Sequence, residues 1–206
     1  MNQPPIARPF ILKEATYRQL LAQRPNVAVL PWGAVEAHGH HLPHGTDIIE
    51  AEAIAYRAAE LALQRGARPI VLPAVPFGND EQQLNQVATI SITTSTALAL
   101  LRDIVRSLTR QSIDRLILLN GHGGNEFKPM VRDLQSEFAM LIVVLNFWQL
   151  CSYPCDPRAQ SRGDHADEME TSLLLHLAPH LVRMAEAGSG DRVPFAIEAL
   201  NRPGVW

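Results

Sequence analysis

The sequence predicts an α/β domain, a three-layer sandwich with a mostly parallel central sheet, and three observations carry that reading. Short apolar runs alternate with longer amphipathic segments, the rhythm of βα units. The runs are Val-, Ile- and Leu-rich with little polar alternation, as strands covered on both faces are. At 206 residues the chain holds one such domain with a substantial core but not two, so residues 1–206 are taken as one unit.

The elements follow in order. Residues 26–31 (NVAVLP) read as a buried strand, and 47–64 as a helix with Ala and Leu at helical spacing. Residues 69–72 (PIVL) are a second strand. The clearest helix is 95–111, opened by Ser95 or Thr96 as its cap. Residues 114–119 (DRLILL) form a third buried strand that runs directly into NGHGGN. A helix over 126–138, a strand over 140–147 and a last helix over 167–177 complete the set. Residues 162–167 read as a polar loop and 187–191 as a Gly/Ser turn; the tail beyond Asp191 shows little periodicity.

Composition excludes several classes. Net charge is −3, with 18 basic against 21 acidic residues, so nothing favours nucleic acid or an anionic membrane as partner. No stretch approaches the roughly 20 apolar residues of a membrane helix. The N-terminal residues MNQPPIARPF lack a signal pattern. The expected setting is cytoplasmic and the expected partner a small molecule. Cys151 and Cys155 are too few for a disulfide scaffold and read as free thiols.

Six of the eight histidines fall in three clusters. In the first, WGAVEAHGHHLPHGTD, Glu36 and His38 are two apart, so an extended chain points both side chains the same way. Asp47 stands at a helix start, where an anion is favoured and a carboxylate can bridge two cations; capping alone would also explain it. The second cluster, residues 120–125 (NGHGGN), follows a buried strand, where open α/β sheets bind their ligands. Its glycines, Gly123 among them, permit close backbone approach. It lacks the Lys-Ser/Thr of a phosphate loop and the dinucleotide spacing, so His122 suits a metal better than the turn suits a phosphate. The third cluster, DHADEMETS, crowds His165, Asp167, Glu168 and Glu170 at a helix start, more acid than capping needs. That many carboxylates near His38 and His122 repel unless a cation offsets them.

Other residues keep two readings. Asn125 orients a substrate or caps the helix after it. Trp32 and Trp148 wall a pocket or fill the core. His40, two residues beyond His38, supports a ligand or, with His41 and His44, lines a polar loop.

In order and spacing, GAVEAHGHHLPHGTD, NGHGGN and DHADEMETS resemble the creatininase (creatinine amidohydrolase) family over roughly residues 31–177. The resemblance implies an enzyme that hydrolyses non-peptide C–N bonds, often hexameric, with two divalent ions per chain: zinc first, manganese or iron as alternatives. By position, Glu36 and His122 would bind one ion, His38 the other, and Asp47 both, while His165 matches a histidine that moves protons. Gly123-Gly124 replaces the Tyr-Glu of creatininase proper, whose glutamate is a ligand. Glu168 is expected to supply the missing ligand, with Glu170 as fallback. Asn79 stands where relatives carry a substrate-side serine, so Asn79, Gly123, Asn125 and Trp148 are the expected substrate contacts. The expected reaction is attack of a hydroxide held between the cations on a small cyclic amide or formamide, with His165 carrying the proton to nitrogen. The rivals are a deformylase or peptide-processing hydrolase on the same scaffold, and a non-catalytic nucleotide- or metal-binding module.

Overall fold

The computed structural model describes residues 8–150, 165–189 and 195–201. Four strands, β1 (Val27–Trp32), β2 (Pro69–Val71), β3 (Arg115–Asn120) and β4 (Leu141–Asn146), form a sheet in the order β2-β1-β3-β4, every pairing parallel. Six α-helices accompany it among the described residues: α1 (Tyr17–Gln23), α2 (Thr46–Gln64), α3 (Thr94–Arg110), α4 (Phe127–Glu137), α5 (Phe147–Leu150) and α6 (Glu168–Leu177).

Alternation along the strands separates two cores. Ala28, Leu30 and Trp32 of β1, with Leu116 and Leu118 of β3, pack against Ala97, Leu101, Val105 and Leu108 of α3 and Met130 and Leu134 of α4. Val29, Val71 and Leu119 point the opposite way, onto Ala55 and Ala59 of α2 and Met169 and Leu173 of α6. The sheet is therefore covered on both faces, as its apolar runs require. Among the described residues no helix is long and apolar enough to cross a membrane.

The strand expected to stop at Pro31 runs on to Trp32. Proline has no N–H to give a central ladder. Pro31 escapes that cost because its polar edge faces the β2 side, beyond the end of β2, where its carbonyl accepts from Val75 N at 3.0 Å. Caps explain the shifted helix starts. Thr93, not Ser95 or Thr96, caps α3 by accepting from Thr96 N, and Asp167 caps α6 by accepting from Met169 N and Glu170 N. The expected thiols Cys151 and Cys155 lie outside the described residues, as does part of the 162–167 loop and of the 187–191 turn.

Candidate metal centre

Trp32 and Asn120, the last residues of β1 and β3, are register partners, and the chemistry-bearing segments leave the sheet just beyond them. The first turn of α2 lies directly over both exits. A Cβ on Gly33 would meet Asp47 C at 2.9 Å, and one on Gly121 would meet Asp47 O at 2.8 Å. Only residues without side chains let the helix start press so close to the strand ends. Asn120 holds the other wall: its Oδ1 accepts from His122 N at 3.1 Å and Asn125 Nδ2 at 3.2 Å, and its Nδ2 donates to Asn146 Oδ1.

Into this space the chain brings Glu36, His38, Asp47 and His122, all buried. Residues 35–38 alternate half-buried and buried, so Glu36 and His38 point inward together, as their spacing requires. Asp47 stands between the histidines. Its Oδ1 is 2.8 Å from His38 Nε2, and its Oδ2 is 3.1 Å from His122 Nδ1. Glu36 Oε1 is 2.8 Å from the same His122 nitrogen. Glu170 of α6 approaches His38 Nε2 at 3.8 Å. Among the described residues three donor sets result, Glu36–Asp47–His122, His38–Asp47–Glu170 and Glu36–His38–His165, each with ligand atoms within 4.8 Å of one another, and the first two share Asp47.

The imidazoles are oriented from behind. His38 Nδ1–H donates to the Glu36 carbonyl at 3.2 Å, which leaves Nε2 facing the carboxylates. His165 sits over the cluster, its ring centroid 4.3 Å from that of His38. Its Nε2–H donates to Ala37 O at 2.6 Å, so Nδ1 carries the lone pair and lies 3.9 Å from Glu36 Oε1. Gln83 closes the side, donating to Glu36 Oε2 and lying 3.2 Å from His165 Nε2.

Electrostatics shows what such a cluster does without a cation. Burial opposes charge on His38, but Asp47, with Glu170 and Glu36 behind it, outweighs burial and holds the imidazole up at about 9. Burial likewise opposes charge on His122, and Asp47, Asp80 and Glu36 raise it to about 12. Burial would raise Asp47; the His122 and His38 imidazoles beside it bring it below the usual carboxylate range. Glu50, fully buried on α2, is driven up to about 9 by burial and then by Glu170, Asp47 and Asp167. Protons on the histidines offset the charge of the carboxylates around them. Both Asp47 oxygens, His38 Nε2 and Glu170 Oε2 are buried without a well-formed hydrogen bond. Buried polar atoms are seldom left so, and one nitrogen with two carboxylates in each of the two sets that share Asp47 is a donor combination that zinc or manganese accepts. The residues fit a pair of divalent ions.

A family model described as creatinine amidohydrolase matches residues 12–206. The chain belongs to the creatininase family. A mycofactocin precursor peptide peptidase from Mycolicibacterium smegmatis is 34% identical over 201 residues, 93% of this chain and 73% of that protein. A creatinine amidohydrolase from Pseudomonas putida is 31% identical, over 81% of this chain and 70% of its own. A ribosylaminopyrimidinone deformylase from Methanothermobacter marburgensis is 30% identical, over 78% and 64%. Among solved structures, a Bacteroides fragilis protein provisionally named a creatinine amidohydrolase superposes with a TM-score of 0.86 at 42% identity, over 95% of this chain and 78% of that one. A Zn-Zn creatininase mutant gives 0.71 over 86% and 76%, and a Mn creatininase 0.74 over 90% and 78%, both at 28% identity.

Against the family pattern, the acid from α6 departs from expectation. Glu168 is exposed, while Glu170 is the acid beside His38 and Asp47. Helical period explains it: Glu170 shares its face with fully buried Leu174, four residues on, and Glu168 shares the exposed face of Ser172. We therefore expect Glu170→Gln to lower bound divalent ion from about two per chain towards one, and Glu168→Gln to leave it unchanged, as metal analysis of both purified variants would read.

The expected substrate contacts are also redistributed. Asn125 neither caps α4 nor stands free: its Oδ1 accepts from Asn79 N at 3.2 Å and its Nδ2 donates to Asn120. Asn79 turns its carbonyl to His122 Nε2 at 3.1 Å and its amide to Ile92 O. Gly123 is exposed, with open space where a side chain would be. Trp148 is half-buried, edge-on to Phe147 against the α2–α6 core, and Trp32 is wholly buried with its Nε1–H on Phe77 O. His41, expected in a polar loop, is buried, its Nε2 2.9 Å from Thr171 Oγ1 on α6; His40 and His44 are exposed. The sequence reading missed Asp80, Gln83 and Glu50. Only Glu50 had a signal: it lies three residues after Asp47, on the same helical face.

Proposed function

We propose that the chain is a two-metal amidohydrolase that cleaves the C–N bond of a small cyclic amide or formamide. The observation that carries this reading is Asp47, one oxygen directed to each of the two sets that share it. Glu36 and His122 would hold one ion, His38 and Glu170 the other, and Asp47 both. When bound, such ions supply Lewis acidity, which makes water nucleophilic near neutral pH and polarises a carbonyl. Three protein donors per set leave room for further ligands, the mark of a catalytic rather than a structural site.

The chain's own residues do the rest. His165 holds its Nε2–H on Ala37 O and keeps Nδ1 free beside Glu36. Nδ1 takes the proton of the attacking water and returns it to the leaving nitrogen, the work of a general acid–base group. Gln83 keeps Glu36 from turning away. The reading includes assembly as a homo-oligomer, hexameric by resemblance.

A second substrate class, the peptide bond, is favoured by the 34% identity with a peptide peptidase and by the open space at Gly123. All three named relatives share one chemistry, hydrolysis at an amide carbonyl. The test is a zinc- or manganese-loaded preparation assayed against creatinine, hydantoin-like rings, formamides and short peptides. We expect turnover of one class, and His165→Ala to lower it about 10²–10⁴-fold with ion content unchanged. Loss of the ions in that variant would make His165 a ligand, and absence of ions from the unsubstituted protein would sink the reading.

A further inference from the structure

The loop between β2 and α3 places one buried carboxylate against the back of a candidate ligand. Asp80 is wholly buried, and its Oδ1 lies 3.0 Å from His122 Nε2, the nitrogen that faces away from Glu36 and Asp47. Among the described residues neither Asp80 oxygen makes a well-formed hydrogen bond, so the carboxylate is free to take the His122 Nε2 proton, which also reaches Asn79 O at 3.1 Å. Its backbone is fixed independently: Asp80 N donates to Ser91 Oγ at 3.0 Å, and Ile92 N to Gly78 O at 2.8 Å. The approach is close by construction. A Cβ on Gly78 would stand 2.8 Å from His122 Cδ2, so a side chain there would push the loop and its acid off the ring.

We propose that Asp80 is a positioning residue: by accepting the Nε2 proton of His122 it fixes the imidazole tautomer that presents the Nδ1 lone pair to the ion held with Glu36 and Asp47. The inference rests on the two-metal reading and extends it to a residue that binds no ion itself. Nε2 faces only acceptors, the Asp80 carboxylate and the Asn79 carbonyl at 3.1 Å, so the ring proton belongs there and Nδ1 is left to ligate. A carboxylate behind a ligating imidazole also makes the ring a better donor than a carbonyl does. His38 is backed only by the Glu36 carbonyl, so the two sites differ in this respect.

The test is calorimetric zinc titration of the unsubstituted protein, Asp80→Ala and Asp80→Asn, with Glu36→Gln as the reference that marks which phase belongs to the His122 site. We expect Asp80→Ala to weaken that phase roughly 10–100-fold and leave the His38 phase unchanged, with Asp80→Asn between the two because its amide oxygen still accepts the proton. A merely structural role would move both phases together or neither. Two unaltered phases in the variants overturn the proposal. So does an Nδ1-protonated His122 in the ¹⁵N spectrum of the zinc-loaded unsubstituted protein, which decides the matter even if Asp80→Ala does not fold. If the unsubstituted protein takes up no zinc, the two-metal reading fails first and this one falls with it.

Discussion

Asp47→Ala is expected to abolish binding of both divalent ions and to lower turnover by roughly 10³-fold or more. Asp47 is the residue shared by the Glu36–His122 and His38–Glu170 sets, and each of its oxygens serves a different one. Without it each set keeps one imidazole and one carboxylate, fewer than the three protein ligands that hold a catalytic ion. Glu36→Gln or Glu170→Gln removes a donor from one set only and should leave about one ion per chain. Asp47→Asn keeps one good oxygen donor and should fall between these cases. The fold is expected to survive Asp47→Ala, because His38 and His122 relieve the loss of their buried counter-ion by releasing protons, as burial already favours. Ion content by mass spectrometry, beside an unchanged far-ultraviolet dichroism spectrum, reads the result. A variant that still holds two ions would show that Asp47 does not bridge.

Particular residues show what the sequence made legible. The apolar runs placed β1, β2, β3 and β4 to within a residue or two, because strands covered on both faces have little choice of composition. The helix ends moved by a residue or two because Thr93 and Asp167 cap from just outside the periodic run. Helix α1 has no buried residue and no amphipathic stripe to notice; it is held by the reciprocal Thr16–Gln19 capping box, a four-residue signal. In the site, Glu36, His38, Asp47 and His122 were legible because strand spacing and strand ends fix where side chains point. Glu170, the expected fallback to Glu168, is the acid that its period with Leu174 turns inward. Asp80 and Gln83 were not legible. They sit on a segment without periodicity, and only tertiary contacts such as Gly78 O with Ile92 N bring it over His122 and His165.

Without ions the protein should lose stability as pH rises from about 6.5 to 9, and with zinc bound it should not. His38 and His122 are held well above their ordinary 6.5, at about 9 and about 12, so the folded chain binds protons that the unfolded chain has released. Their contribution is complete below 6.5 and drains away as pH climbs through 9 and then 12. Glu50 adds the same sign, since its carboxyl is neutral in the fold up to about 9 but ionised above 4.5 in the unfolded chain. Asp47 works oppositely, but its depressed value puts its effect on the acid side, where stability is lost as pH falls. Across the window three groups therefore pull one way, each by up to about 1.4 kcal/mol per pH unit. A fall of several kcal/mol is comparable to the whole stability of an ordinary domain. Zinc cancels that fall because it binds deprotonated ligands, so the stability it confers grows with pH as the contribution of the histidine protons drains away. Urea unfolding at several pH values, in chelator and in excess zinc, should give one falling line and one much flatter line, and Glu50→Gln should flatten the chelator line in part. A chelator line that climbs between pH 6.5 and 9 would mean that these histidines do not carry the protons that the geometry gives them.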